Sequence, residues 1–126
     1  MNFENFSFDP RIASAIRNTG YTTPTPIQAQ AIPKVLEGRD VLGLAQTGTG
    51  KTAAFILPML DRLLKKPSNQ RKARALILAP TRELAEQIHQ TAVKLGKDTG
   101  LRSFPVYGGV GKGPQIDGFR RGTEIV

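Results

Sequence analysis

Apolar residues along this chain recur at two spacings, one helical and one strand-like, and the two alternate. Ile12 and Ile16 share a face of a segment opened by Asp9 and Pro10 and closed by Gly20. This predicts a first helix, with proline at a position where its missing N–H is tolerated. Thr25 and Pro26 open a second helix, which Pro33 is expected to interrupt. Residues 40–45 read as a short buried strand. From Lys51 to about Lys65, the residues Phe55, Ile56, Met59, Leu60, Leu63 and Leu64 recur at helical period. Pro58 is expected to kink that helix. A polar connection over 65–74, with Pro67, Ser68 and Asn69, leads to an unbroken apolar run at 75–79 bounded by Pro80. That run is the pattern of a buried parallel strand. Leu84, Ile88, Ala92 and Leu95 mark another helix, closed by Gly96 or Gly100. Residues 103–107 read as a third strand with Gly108 and Gly109 as its turn, and residues 123–126 as the start of a fourth.

Strands and helices alternating in this order predict an α/β fold, a parallel sheet with helices on both faces. The 126 residues suit one compact domain. Tryptophan is absent and aromatics are few, so the core must be mostly Leu, Ile, Val and Ala. Cysteine is absent too, which excludes disulfide frameworks, thiolate metal sites and cysteine nucleophiles. That absence fits a reducing cytoplasm, the location expected here. The first residues carry no basic region followed by an apolar one, so no signal peptide is expected. The longest apolar runs fall far short of a membrane span, and no membrane partner is expected.

Charge adds a partner class. Eighteen Lys and Arg against ten Asp and Glu leave a net charge of +8. Such an excess favours polyanions such as nucleic acid. A domain separated from its acidic part gives the same excess, and both accounts stand.

The candidate chemistry begins at Ala45, Gln46, Thr47, Gly48, Thr49, Gly50, Lys51 and Thr52, which follow a predicted strand and open a predicted helix. A phosphate-binding loop needs that context. Glycines at 48 and 50 let the backbone curl until its N–H groups converge, and the helix N-terminus adds its positive dipole end. Lys51 would reach the β- and γ-phosphates, and Thr52 would place its hydroxyl on Mg²⁺. The general pattern starts with glycine where this chain has Ala45, so the strict motif is missed by one residue.

The string AQTGTGKT resembles motif I of the DEAD-box RNA helicases (of the bacterial type), and three further strings fit that family in order. Gly20 to Gln28, with Tyr21 and Thr23, is similar to the Q motif. By this resemblance Gln28 recognises adenine, with an upstream aromatic, Phe3 at the family's spacing, stacking near the base. A carboxamide offers a donor and an acceptor together, matching adenine N6–H₂ and N7. Thr25 with Gln28 three residues on is also a helix capping box by itself, and that structural role stands beside the adenine one. Pro80, Thr81 and Arg82 resemble the start of motif Ia, which implies contact with the RNA backbone at a strand end and helix start. A helix cap at Thr81 and a solvated Arg82 would give the same string. Gly108 and Gly109 look like the family's Gly-Gly element, also facing RNA backbone.

The resemblance covers all 126 residues. It implies a RecA-like phosphate-loop NTPase core, ATP or ADP with Mg²⁺ as ligands, and RNA bound without regard to sequence. On this reading the chain is one partial ATP-binding domain, with residues 1–37 as the Q-motif region and 38–126 carrying the phosphate loop, motif Ia and the Gly-Gly element. The family's later strings are not among these residues: TPGR, Asp-Glu-Ala-Asp and Ser-Ala-Thr, and the second helicase domain. The expectation is a parent RNA-dependent ATPase, and no hydrolysis by this chain alone. The family's sheet would lose its centre here, between the phosphate-loop strand and the 75–79 strand. Three states are then open: a poorly stable chain, a rearranged sheet, or a homodimer that fills the gap. A non-catalytic nucleotide-binding or self-associating module is the alternative function.

Arg62, Lys65, Lys66, Arg71, Lys72 and Arg74 gather near one loop. Non-specific RNA attraction is one reading, and a solvated loop with cations suited to a helix C-terminus is the favoured one. His89 lacks a ligand pattern and is assigned no role.

Overall fold

The computed structural model describes residues 1–68, 70, 72–109 and 111–126. Asn69 of the polar connection and Arg71 of the basic stretch lie outside the described residues. A 3₁₀ turn at Phe3–Phe6 precedes five helices: α1 (Pro10–Asn18), α2 (Pro26–Leu36), α3 (Lys51–Lys65), α4 (Arg82–Leu95) and α5 (Lys112–Arg120).

Local chemistry sets the helix starts. The Asp9 carboxylate accepts the Arg11 N–H at 2.9 Å and caps α1, and the Thr81 hydroxyl accepts the Leu84 N–H at 3.2 Å and caps α4. The sequence places a break at Pro33, yet α2 runs through it to Leu36. Proline there forfeits one intrahelical bond. Burial of Ala31 and Ile32, on a helix packed along α3, offsets that loss. In the same way α3 continues through Pro58 to Lys65.

Helix α3 is the centre of the molecule and packs on α1, α2 and α4. Ile56, Leu57 and Leu60 have no exposed surface, and each such side chain contributes about 1.5–3 kcal/mol through burial. Phe3, Phe6 and Phe8 belong to the same core, so aromatics contribute more than their number suggests. Asp61 is the buried charge in this layer. Its Oδ1 accepts the Asp9 N–H at 2.9 Å, and Lys65 Nζ lies 2.7 Å from Oδ2. The start of α1 is thereby fastened to α3.

The expected parallel sheet is not formed as continuous strands among the described residues. It is reduced to two parallel bridges, Ala75 with Ile125 and Ser103 with Ile125. Residues 123–126 therefore lie between the 75–77 and 102–104 segments. Val126 N–H donates to the Ala75 carbonyl at 3.0 Å, and Phe104 N–H donates to the Ile125 carbonyl at 2.9 Å. Among the described residues the first expected strand, 40–45, makes no backbone hydrogen bond to the other three, so none joins it to 75–79.

This corrects the reading of 75–79 as buried on both faces. Ile77 packs against the core, whereas Leu76 and Leu78 are 70% and 85% exposed. Leu42 and Leu44 in the isolated segment are 87% and 84% exposed. An apolar strand is covered twice only when elements flank both its faces. Helix α5 was not foreseen, because Gly113, Pro114 and Gly118 obscure its period. Pro114 falls in the first turn, where no N–H is needed. A Cβ at Gly118 would meet the Phe104 ring at 2.7 Å, so glycine lets α5 lie close on that segment.

Candidate functional site

The Gly-rich turn at 45–50 leads directly into α3, as its spacing requires. Gly48 and Gly50 have φ of 82° and 83°, a left-handed conformation that side chains resist. Gly50 is the residue that opens α3. A Cβ there would strike the Gln28 carboxamide. The loop is held by its own polar groups. Thr49 Oγ1 donates to the Gln46 carbonyl at 2.6 Å, and Lys51 Nζ donates to the Ala45 carbonyl at 2.6 Å. Gln46, Thr47 and Gly48 are exposed, as is Lys51, and Thr52 is half-buried in the first turn of α3.

Gln28 is buried, at 4% exposure, and it reaches two places. Its Oε1 accepts the Thr25 N–H at 3.0 Å, which is the glutamine half of the predicted capping box. Its Nε2 donates to the Gly50 carbonyl at 3.1 Å. These contacts use one of two donors and one of about two acceptor sites on the carboxamide. The capping role and a ligand role are therefore compatible, and the sequence did not force a choice between them. Thr25 Oγ1, beside Gly50, is buried and has no hydrogen-bond partner among the described residues.

Phe3 and Tyr21 stack with ring centroids 6.0 Å apart at 25°. With Thr23 and Arg17 they line a cavity of about 520 Å³ at the N-terminal end. Phe3 is at the same time core, 6% exposed and edge-on to Phe6.

The second group lies at the start of α4. Pro80, Thr81 and Arg82 are exposed. Arg82 Nη2 donates to the Gly108 carbonyl at 2.9 Å, which brings together two strings that are 26 residues apart. Gly109 is adjacent, since a Cβ there would lie 3.6 Å from Arg82 Nη2.

Sequence reasoning missed three residues around this pair. The Arg82 guanidinium sits 5.4 Å from the Tyr107 ring centroid. The Tyr107 phenol donates to Glu86, and the Tyr107 N–H donates to Gln115 Oε1 at 2.9 Å. The phenol's hydrogen bond holds the Glu86 carboxyl below its ordinary range, and the same bond pushes the Tyr107 phenol above its own. One signal for Glu86 was in the sequence, namely its place four residues after Arg82 on one helix face. Tyr107 was read only as a strand residue.

Two cations of the basic stretch, Arg74 and Lys65, make structural contacts. Arg74 donates to the Leu63 carbonyl at 3.3 Å and also to the Lys66 carbonyl, closing the C-terminal end of α3. Lys65 is paired with Asp61. His89 Nδ1 lies 2.9 Å from Ser103 Oγ, a link between α4 and the neighbouring segment. Among the described residues no helix is long and apolar enough to cross a membrane.

The molecule is thus a helical core with a left-handed glycine turn at the head of its central helix. The chain belongs to the DEAD/DEAH box helicase family, whose model matches residues 25–126. It is 49% identical to "DEAD-box ATP-dependent RNA helicase 30" of Arabidopsis thaliana, over 98% of this chain and 21% of that protein. It is 46% identical to "ATP-dependent RNA helicase RhlB" of Xanthomonas oryzae pv. oryzae, over 100% of this chain and 23% of that protein. The chain thus spans about a fifth of the length of these curated relatives. Among solved structures it is similar to the RNA helicase Prp28 of Chaetomium thermophilum bound to ADP. The TM-score is 0.89 at 41% identity, over 98% of this chain and 31% of that one. A DEAD box protein from Methanococcus jannaschii matches with a TM-score of 0.90 at 35% identity, over 100% of this chain and 34% of that one.

Proposed function

We propose that this chain is the adenine-nucleotide-binding part of an ATP-dependent RNA helicase acting in the cytoplasm. Residues 1–37 supply the adenine side, and residues 38–126 supply the phosphate loop and the RNA-backbone contacts. To Gln28 we assign the reading of adenine, and to Phe3, Tyr21 and Thr23 contacts around the base. Gln46, Thr47, Gly48, Thr49, Gly50 and Lys51 hold the phosphates, and Thr52 offers its hydroxyl to Mg²⁺. The observation that carries this reading is the Gln28–Gly50 hydrogen bond, because it sets a buried carboxamide beside the loop's last glycine.

The residues suit the ligand. The loop curls at two positive-φ glycines, α3 presents its N-terminus, and a buried hydroxyl at Thr25 is without a partner among the described residues. A single neutral oxygen at Thr52 would hold Mg²⁺ only together with nucleotide phosphates, which is how this ion is usually kept. Bound there, the metal would neutralise phosphate charge. A phosphate at Lys51 takes over the ammonium that now bonds the Ala45 carbonyl. Pro80, Thr81, Arg82, Gly108 and Gly109 form the RNA-backbone side. To these 126 residues we assign the binding of ATP.

The test is a titration of a fluorescent ADP analogue with Mg²⁺, competed with ADP and with GDP. Saturable binding that prefers ADP, and loses that preference in Gln28→Ala, is expected. Binding with no preference between the two competitors would remove Gln28 as the base reader. A second reading, a nucleotide-binding module that self-associates, is favoured by the bare Leu42, Leu44, Leu76 and Leu78. Sedimentation across a concentration range separates it: a monomer at every concentration removes that reading.

A further inference from the structure

Arg82 and Glu86 stand one turn apart on α4, a spacing at which arginine and glutamate usually pair and cancel. Among the described residues they form no ion pair. Tyr107 comes between them. Its phenol engages the Glu86 carboxylate, while its ring lies under the Arg82 guanidinium at 5.4 Å. Tyr107 is itself fixed from α5, through its N–H to Gln115 Oε1 at 2.9 Å. Glu86 is fixed from its own helix by Gln90 Nε2 at 3.3 Å. Arg82 therefore commits one of its five N–H donors, to Gly108, and keeps its charge unneutralised on an exposed surface.

We propose that Tyr107 is a positioning residue for Arg82: it holds the guanidinium over its ring and diverts the Glu86 carboxylate, so that Arg82 meets an RNA phosphate preordered and fully charged. This rests on the reading of Arg82 as an RNA-backbone contact. An arginine that is already ordered loses less freedom on binding than one sweeping solvent. A carboxylate one turn away would cancel much of its attraction for phosphate if it were free to pair.

The geometry makes the roles separable. Tyr107→Leu removes the ring and frees Glu86 to pair with Arg82. It should weaken binding of a fluorescein-labelled single-stranded oligouridylate about two- to fivefold at low salt, the range of an exposed cation–π contact. Adding Glu86→Gln to Tyr107→Leu should restore part of that loss, because the freed side chain is then neutral. A variant that acted only by damaging the fold would not be rescued so. In an Arg82→Ala background, Tyr107→Leu should cost nothing further.

The experiment runs on the full chain, with circular dichroism confirming that each variant is folded. Rescue by Glu86→Gln and loss of the Tyr107 effect in Arg82→Ala support the proposal. An effect of Tyr107→Leu that persists undiminished in Arg82→Ala overturns it, and points to direct stacking of Tyr107 on a base. If Arg82→Ala itself leaves RNA affinity unchanged, the RNA reading of this site fails and takes the proposal with it. The Arg82 Nε–H resonance then reports on the geometry alone. It should sit upfield under the Tyr107 ring current and move on Tyr107→Leu. A resonance that does not move overturns the positioning role without reference to RNA.

Discussion

The Gln28 carboxamide donates through Nε2 to the carbonyl of Gly50 at 3.1 Å, so the residue that caps α2 also holds the residue that opens α3. The bond couples two strings that are 22 positions apart and leaves half of the carboxamide's capacity free. Gln28→Glu separates the two duties. A carboxylate can still accept the Thr25 N–H, but it cannot donate to the Gly50 carbonyl. We expect this variant to lose about 1–3 kcal/mol of stability, the cost of a buried group left without its partner, and to bind ADP more weakly. Urea unfolding and nucleotide titration measure the two effects. Unchanged ADP affinity would mean that the loop keeps its shape without the tie.

Lys51 offers the opposite case, a residue to which we assign a role in binding and none in packing. Its side chain is exposed and its one hydrogen bond is to the Ala45 carbonyl on the same loop. Lys51→Ala should change stability by no more than about 0.5 kcal/mol. Loss of a charge-assisted contact to phosphate is worth about 1.5–3 kcal/mol, so ADP affinity should fall roughly 10- to 150-fold. A variant that unfolds earlier and binds equally well would contradict both halves of the assignment.

Asp9 makes a prediction in pH. Its carboxylate is held below its ordinary value, first by the side-chain hydrogen bond from Arg11 and then by the Arg11 backbone N–H. A depressed carboxylate pKa contributes stability that is present above the unfolded value, about 4, and is lost as pH falls through the lower folded value. Asp9→Asn keeps a good helix cap and removes the titration. The stability advantage of the natural chain over this variant should be constant near neutrality and shrink below about pH 4. Paired urea titrations between neutral and acidic pH check it. An advantage that grows as pH falls would reverse the sign and exclude this origin.

How far all this was legible depended on whether the signal was local. Residues that cap, turn or repeat at helical spacing were readable: Asp9, Thr25 with Gln28, Thr81, and the apolar stripe of α3. The turn in AQTGTGKT and the helix it opens were readable because glycine permits the positive φ found at 48 and 50. Pro33 misled, because one forfeited hydrogen bond was weighed without the packing of α2 on α3. Helix α5 was hidden by glycines whose use becomes visible only against Phe104. Tyr107 escaped because its three contacts are to Arg82 and Glu86 of α4 and Gln115 of α5, and no spacing along the chain reports them. Strand character at 75–79 was readable from its composition, but its coverage was not, because coverage depends on what lies beside it.

That last distinction can be measured on adjacent residues. Ile77 packs against the core, while Leu78 is 85% exposed. Ile77→Ala should cost about 2 kcal/mol or more, as for a large apolar side chain removed from a core. Leu78→Ala should cost less than about 0.5 kcal/mol, as for an exposed position. A strand buried on both faces would make the two losses similar. Urea unfolding of both variants, repeated at two protein concentrations, distinguishes the cases. A large cost for Leu78→Ala at high concentration that vanishes on dilution would mean that another copy covers this face. A large cost at every concentration would mean that the chain covers it with its own residues, and the one-sided segment would be wrong.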